Sequence, residues 1–307
     1  MSKKIVFMGT PDYATIIFDK LIKNDSYEIV SLFTQPDKKV GRKQILTPPH
    51  IKKYCIDNSI DLPIYQPITL KNNIEMVDVL KNLNPDFIIV AAYGQILPKE
   101  ILNIAPCINL HASILPKYRG ASPIQESILN DDKYTGVTSM LMEEGLDSGD
   151  LLGMQYLKLT ENMLVDEVFN KLSNIAASLT ITTLDNYEKI QAKKQNNSEV
   201  SFCKKIRKDD GLVSLFDSKK LYLKYKAYCF WPGIFLQSGL KLKEVELNET
   251  TSANKEGKIL NINENFAIIA CAKGSIKVTT VQAPSKKAVH ITDYLRGKRL
   301  TVNDTLI

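Results

Sequence analysis

The run Asp86-Phe-Ile-Ile-Val-Ala-Ala92 offers nothing to water after its first residue, and no other feature constrains the fold as strongly. In a half-wet strand every second side chain would face solvent, so six consecutive apolar residues call for cover on both faces. Ile5-Val-Phe-Met8 and Cys107-Ile-Asn-Leu110 read as strands of the same kind, and segments 28–34 and 62–65 add two more. Between them, segments 13–23 and 73–83 carry apolar residues at helical spacing. Doubly covered strands alternating with helices predict an α/β domain built on a mostly parallel sheet. Segments 137–142 and 151–159, separated by an acidic loop with Gly145 and Gly149, read as an antiparallel pair at one side of that sheet.

A helix is expected over 165–184, and the polar stretch after it reads as a linker. The expected division is a catalytic domain over 1–188, a linker over 189–203 and a second domain over 204–307. That last part opens with a helix over 218–228. Short apolar segments at 234–237, 240–245, 257–261, 266–271 and 275–281 then predict a small β-barrel of the OB-like kind. Trp231, between Phe230 and Pro232, is expected in the core, with an exposed stacking platform as the alternative.

Charge separates the two parts. Residues 204–307 hold 19 Lys or Arg against 10 Asp or Glu, whereas the first 203 hold 21 against 24. A basic C-terminal third suggests a polyanionic partner, nucleic acid above all. With 44% hydrophobic and 24% charged residues the chain reads as globular, and no apolar run is long enough to cross a membrane as a helix. Five cysteines without CxxC or zinc spacing, and an N-terminal apolar stretch too short for a signal peptide, point to the cytoplasm and to reduced thiols. No metal site is expected.

The first strand ends at Gly9-Thr-Pro-Asp12, where a dinucleotide loop would need further glycines, so a nicotinamide or flavin enzyme is disfavoured. Asn109 and His111 share one strand face, at the carboxyl edge where parallel sheets form their ligand crevices. A lone histidine is more often structural than catalytic, and an acidic glycine-rich loop such as Glu144-Gly-Leu-Asp147-Ser-Gly-Asp150 is by default a solvated turn. The functional alternative is a carboxylate that approaches His111 from this loop.

Together, Asn109-Leu-His111, Ser113-Ile-Leu-Pro116-Lys-Tyr-Arg119-Gly120 and Leu146-Asp147-Ser-Gly149-Asp150 resemble the 10-formyltetrahydrofolate-dependent formyltransferases. Phe7-Met-Gly9-Thr-Pro-Asp12, Thr34-Gln-Pro-Asp37 and Ala92-Tyr-Gly94-Gln-Ile-Leu-Pro98 extend the likeness. It implies a Rossmann-like formyltransferase fold with Asn109, His111 and Asp147 as the catalytic set. The formyl donor, 10-formyltetrahydrofolate, would lie against Ile89, Tyr93 and the Ser113, Ile114, Leu115, Pro116 loop. Segment 35–49 narrows the likeness to members acting on initiator methionyl-tRNA. Its Lys38, Lys39, Arg42 and Lys43, in a long basic loop whose order depends on binding, would meet the acceptor end. Lys205, Arg207, Lys286 and Lys287 would hold the tRNA backbone. No protein partner is implied. The alternatives are a formyltransferase acting on a small amine, a formyl-folate hydrolase, and an RNA-binding module on an inactive scaffold.

Overall fold

The computed structural model describes residues 2–41 and 43–306. In chain order it begins with β1 (Lys3–Gly9), α1 (Asp12–Ile22), β2 (Tyr27–Phe33), β3 (Lys38–Val40), β4 (Ile45–Thr47), α2 (His50–Asp57) and β5 (Ile64–Tyr65). Next come α3 (Ile74–Leu83), β6 (Phe87–Ala91), α4 (Lys99–Leu102), β7 (Cys107–His111), β8 (Arg119–Gly120) and α5 (Pro123–Leu129). The strands β9 (Tyr134–Leu141) and β10 (Leu151–Lys158), the helix α6 (Val165–Asn186) and β11 (Phe202–Cys203) follow. The remainder holds α7 (Ser218–Tyr228), β12 (Ile234–Phe235), β13 (Lys241–Ala253), β14 (Ile259–Ile262), β15 (Ala267–Ala270), β16 (Lys273–Gln282), β17 (Val289–His290) and α8 (Ile291–Lys298).

The chain forms two compact units. One comprises Met1–Pro123, Tyr134–Lys158 and Val168–Cys203; the other comprises Ile124–Lys133, Leu159–Glu167 and Lys204–Ile307. The first is built on a seven-stranded sheet in the order β10-β9-β7-β6-β1-β2-β5. Five of these strands are parallel, and β9 and β10 are antiparallel additions beyond β7.

The apolar runs explain the layering. In β1, Val6 and Met8 join a buried cluster with Val77 and Leu80 of α3 and Ile101 of α4. Phe7 points the other way and meets the Phe18 ring of α1 edge-on at 5.4 Å. Alternation thus sends successive side chains into two separate cores, which is why neither face of the run carries a polar residue. The helix α1 buries Tyr13, Ala14, Ile17, Phe18 and Leu21, one face at helical spacing.

From β1 the chain winds outward through β2 to β5, then returns to place β6 on the other side of β1. That reversal leaves a crevice beyond the carboxyl ends of β1 and β6, the usual ligand position in an open parallel sheet. Ala92 (φ 45°) and Gly94 (φ 81°) turn the chain sharply after β6. The Tyr93 carbonyl accepts from Thr10 Oγ1 and Gln35 Nε2, both at 3.2 Å, and ties this turn to the ends of β1 and β2.

The second unit contains an antiparallel sheet in the order β12-β13-β16-β15-β14, with β17 paired to β16. Its core holds Leu221 and Tyr225 of α7 with Leu242, Val245, Ile269, Ile276 and Val278 of the sheet. Trp231 is not part of it. The residue is 57% exposed and Phe230 is 67% exposed, which corrects the expectation of a core tryptophan. The buried face of α7 is already filled by Leu221, Tyr222, Tyr225 and Tyr228, and burial resumes at Pro232, so Phe230 and Trp231 fall in the turn between. Among the described residues no helix is long and apolar enough to cross a membrane.

Candidate active site

Asn109 lies in β7 and His111 ends it, two residues on, with side chains on one face. Pairing with β6 on one side and β9 on the other buries both, to 9% and 6% exposure. The loop from β9 to β10 closes on itself, as Leu141 N–H donates to Asp150 O at 2.9 Å. It carries Asp147 in the left-handed conformation (φ 48°). There the Asp147 carboxylate accepts from Asn109 Nδ2 at 3.3 Å and from Gly120 N at 2.8 Å. Its Oδ2 also stands 3.7 Å from His111 Nδ1. The structure therefore brings Asn109, His111 and Asp147 together.

One contact settles the histidine tautomer. His111 Nε2 lies 2.9 Å from the Tyr118 carbonyl oxygen. A carbonyl can only accept, so Nε2 carries the proton and Nδ1 of the neutral ring presents a lone pair toward Asp147. At 3.7 Å the two acceptors make no direct hydrogen bond, and they are spaced to share one incoming N–H or water proton.

The segment after His111 wraps this centre. Thr138 Oγ1 donates to Ser113 O at 2.7 Å and accepts from Leu115 N at 3.1 Å, while Ser113 Oγ donates to Lys117 O at 2.6 Å. Ser113, Leu115 and Pro116 are buried and Ile114 is half-buried. Ile89 is fully buried mid-strand, and the Tyr93 ring belongs to the core cluster, where burial pushes its phenol up. Ile89 and Tyr93 can therefore meet a ligand only through their main chain. The polar set suits a formamide: an amide N–H for the formyl oxygen, and a proton-accepting pair for the nitrogens beside it. Among the described residues no group of three His, Cys, Asp or Glu side chains is placed to hold a metal ion.

Two features of the surroundings escaped the sequence. The stretch read as a linker is strapped to the site: Lys193 pairs with Leu151, Ser201 Oγ accepts from Tyr118 N at 2.9 Å, and β11 pairs with β8. Gln195 within it is 9% exposed and hydrogen-bonded to Arg119, Asp147 and Gly149. The 35–49 segment, read as a long loop, carries the antiparallel pair β3–β4 in the register Lys38↔Thr47 and Val40↔Ile45. Its base is held by Asp37, which accepts from Lys52 Nζ at 2.9 Å and Gln66 Nε2 at 2.7 Å. Lys38, Lys39 and Lys43 are exposed, and Arg42 lies outside the described residues. In the second unit Lys205, Arg207, Lys286 and Lys287 are all exposed.

Comparison with known proteins now decides the family. Residues 3–184 match the formyl transferase family model, and residues 205–299 match the formyl transferase C-terminal domain. The chain belongs to the formyl transferase family. A methionyl-tRNA formyltransferase of Nitratiruptor sp. is 55% identical over 98% of this chain and 99% of its own length. Among solved structures, WlaRD, a sugar 3N-formyl transferase crystallised with dTDP and 5-N-formyl-THF, aligns over 94% of this chain and 100% of its own, with 19% identity and a TM-score of 0.66. The methionyl-tRNA formyltransferase from Clostridium thermocellum aligns over 80% of this chain and 94% of its own, with 21% identity and a TM-score of 0.54.

Proposed function

We propose that this protein transfers the formyl group of 10-formyltetrahydrofolate to the α-amino group of methionine on initiator tRNA. The observation that carries this reading is the polar centre of Asn109, His111 and Asp147 in a chain 55% identical, end to end, to a methionyl-tRNA formyltransferase. The donor supplies an activated formyl group, held against the 113–116 loop and the main chain at Ile89 and Tyr93. When the amine adds to the formyl carbon, negative charge develops on the formyl oxygen. Asn109 Nδ2 spends one N–H on Asp147 and has a second to give that oxygen, an interaction worth about 3–4 kcal/mol where such donors have been removed.

The attacking amine must lose a proton and the departing N10 must gain one. His111 Nδ1 and Asp147 Oδ2, spaced to share an N–H, take up the amine proton as a coupled pair and return it to N10 as the C–N10 bond breaks. Lys38, Lys39, Arg42 and Lys43 hold the acceptor end, and Lys205, Arg207, Lys286 and Lys287 hold the phosphate backbone, giving affinity that falls with salt. A cytoplasmic location goes with this reading. The domain division that fits this reading is catalysis over 1–188, a linker over 189–203 and tRNA binding over 204–307.

The test is formyl transfer to methionine charged on initiator tRNA, beside elongator tRNA and a free small amine. Formylation confined to the initiator supports the reading; transfer to the small amine alone overturns the tRNA part of it. Asn109→Ala and His111→Ala should each lower the rate by at least about 100-fold and leave tRNA retention unchanged. Full activity in both would remove the catalytic assignment.

A further inference from the structure

Asp147 does its work in a backbone conformation that a non-glycine residue rarely adopts (φ 48°). Such a conformation persists where its surroundings over-determine it. Gln195 provides that constraint. Its Nε2 donates to the main-chain oxygens of Asp147 at 2.8 Å and Gly149 at 2.9 Å, the two carbonyls on either side of Ser148. Its Oε1 accepts from Arg119 Nε at 3.1 Å and Nη2 at 2.7 Å. Every polar atom of the amide is engaged, and both Gln195 and Arg119 are more than nine-tenths buried.

The direction of the amide matters. The Arg119 fork can only donate, so it compels Oε1 to face it and turns the NH₂ group toward the two carbonyls. The next residue, Gly120, donates its N–H to Asp147 Oδ2 at 2.8 Å. The Arg119–Gly120 dipeptide thus grips Asp147 twice, once at the carboxylate and once through Gln195 at the main chain. Only glycine fits at this position: Gly120 has φ 121°, and a Cβ there would lie 2.3 Å from the Cys203 carbonyl oxygen.

We propose that Gln195, oriented by Arg119, is a positioning residue for formyl transfer: it holds the main chain at Asp147 so that the carboxylate meets Asn109, Gly120 and His111. This rests on the proposed catalytic role of Asp147. Gln195 touches no reacting atom, so its effect must pass through Asp147.

The experiment is a double-mutant cycle in the full chain, read as kcat and KM for formyl transfer to initiator methionyl-tRNA. Thermal melts of every variant check folding. Gln195→Ala should lower kcat by about 10- to 100-fold, the scale of a misplaced catalytic group, with KM for the folate within about threefold. Gln195→Glu keeps the size and strengthens the Arg119 contact, yet cannot donate to the two carbonyls. It should therefore fold and still lose kcat to a similar extent. In an Asp147→Asn background, Gln195→Ala should add less than about a twofold loss, because residues acting as one unit are not additive. Full multiplicative loss in that background, or a Gln195→Glu variant as active as wild type, overturns the positioning role alone. An Asp147→Asn enzyme with wild-type kcat overturns the catalytic reading itself and the proposal with it.

Discussion

Replacing Gly149 by alanine tests whether the loop geometry, as distinct from the loop residues, sets the rate. A methyl at Gly149 would lie 2.0 Å from the Leu141 carbonyl oxygen, where real Cβ atoms essentially never come within 3.0 Å. Something must move by about 1 Å. Leu141 is paired with Ile108 in the sheet, and its N–H is bonded to Asp150 O at 2.9 Å. The displacement therefore passes into the loop, two residues from Asp147. A 1 Å error in a catalytic group costs on the order of 100-fold in rate, about 2.7 kcal/mol of barrier. The overpacking itself should cost about 1–3 kcal/mol of stability.

Two neighbouring glycines calibrate the result. At Gly153 in β10 the methyl would meet Leu179 Cδ1 at 3.5 Å, an ordinary contact, so Gly153→Ala should keep the wild-type rate within about twofold and be neutral or slightly stabilising. At Gly145 the obstacle is Ser148 Oγ at 2.0 Å, a side chain that can rotate away by giving up its bond to Glu143, so the loss should be intermediate. Single-turnover formyl transfer and thermal melts on the three variants give the answer. A Gly149→Ala enzyme within twofold of wild type, or one no worse than Gly153→Ala, would refute the argument.

Three further outcomes follow from the same structure. Gln66 and Lys52 hold the Asp37 carboxyl below its ordinary pKa, so its stabilising contribution is present above the unfolded value near ~3.9 and disappears as pH falls through the lowered folded value. Urea denaturation of Asp37→Asn should show a loss of at most about 1 kcal/mol at pH 7 that shrinks below about pH 4; a difference that grows toward acid would contradict the network. Burial pushes the Cys55 thiol up to about 11 and those of Cys107 and Cys271 to about 12, so iodoacetamide at pH 8 should label all three only after denaturation, as mass spectrometry can check. The single tryptophan, Trp231, should emit as a solvated indole and be quenched by acrylamide in the native protein; a shielded, blue-shifted emission would place it in the core after all.

The parallel sheet was legible in the sequence because its strands are covered on both faces and their apolar runs admit no other reading. Where burial is one-sided or missing, the pattern is lost. Strand β13 runs on to Ala253 opposite Lys273, yet from Asn248 to Ser252 its residues are polar and mostly exposed, so the expected strand stopped at 245. The pair β3–β4 carries Val40, Ile45 and Leu46 at 56–62% exposure, and a hairpin that buries nothing leaves no hydrophobic signature. Trp231 misled for the opposite reason, since average burial of a residue type says nothing about a turn between two filled stretches of core.

The candidate site divides in the same way. Asn109, His111 and Asp147 were reached through the family resemblance, since by themselves a lone histidine and an acidic glycine-rich loop read as structural. Their supports act largely through the main chain: the Tyr118 carbonyl sets the His111 tautomer, Gly120 N–H binds Asp147, and Ser201 O receives Arg119 N–H at 2.9 Å. A carbonyl or an N–H belongs to every non-proline residue, so such supports leave almost no trace in residue identity. Gln195 supports Asp147 through its side chain, and it lay in a polar stretch where one more glutamine carries no signal. The trace it did leave was indirect. Arg119 sits two residues from Lys117 in a loop beside a buried strand, and a guanidinium drawn into the interior needs acceptors to hold it, which only the fold could identify as the amide of Gln195.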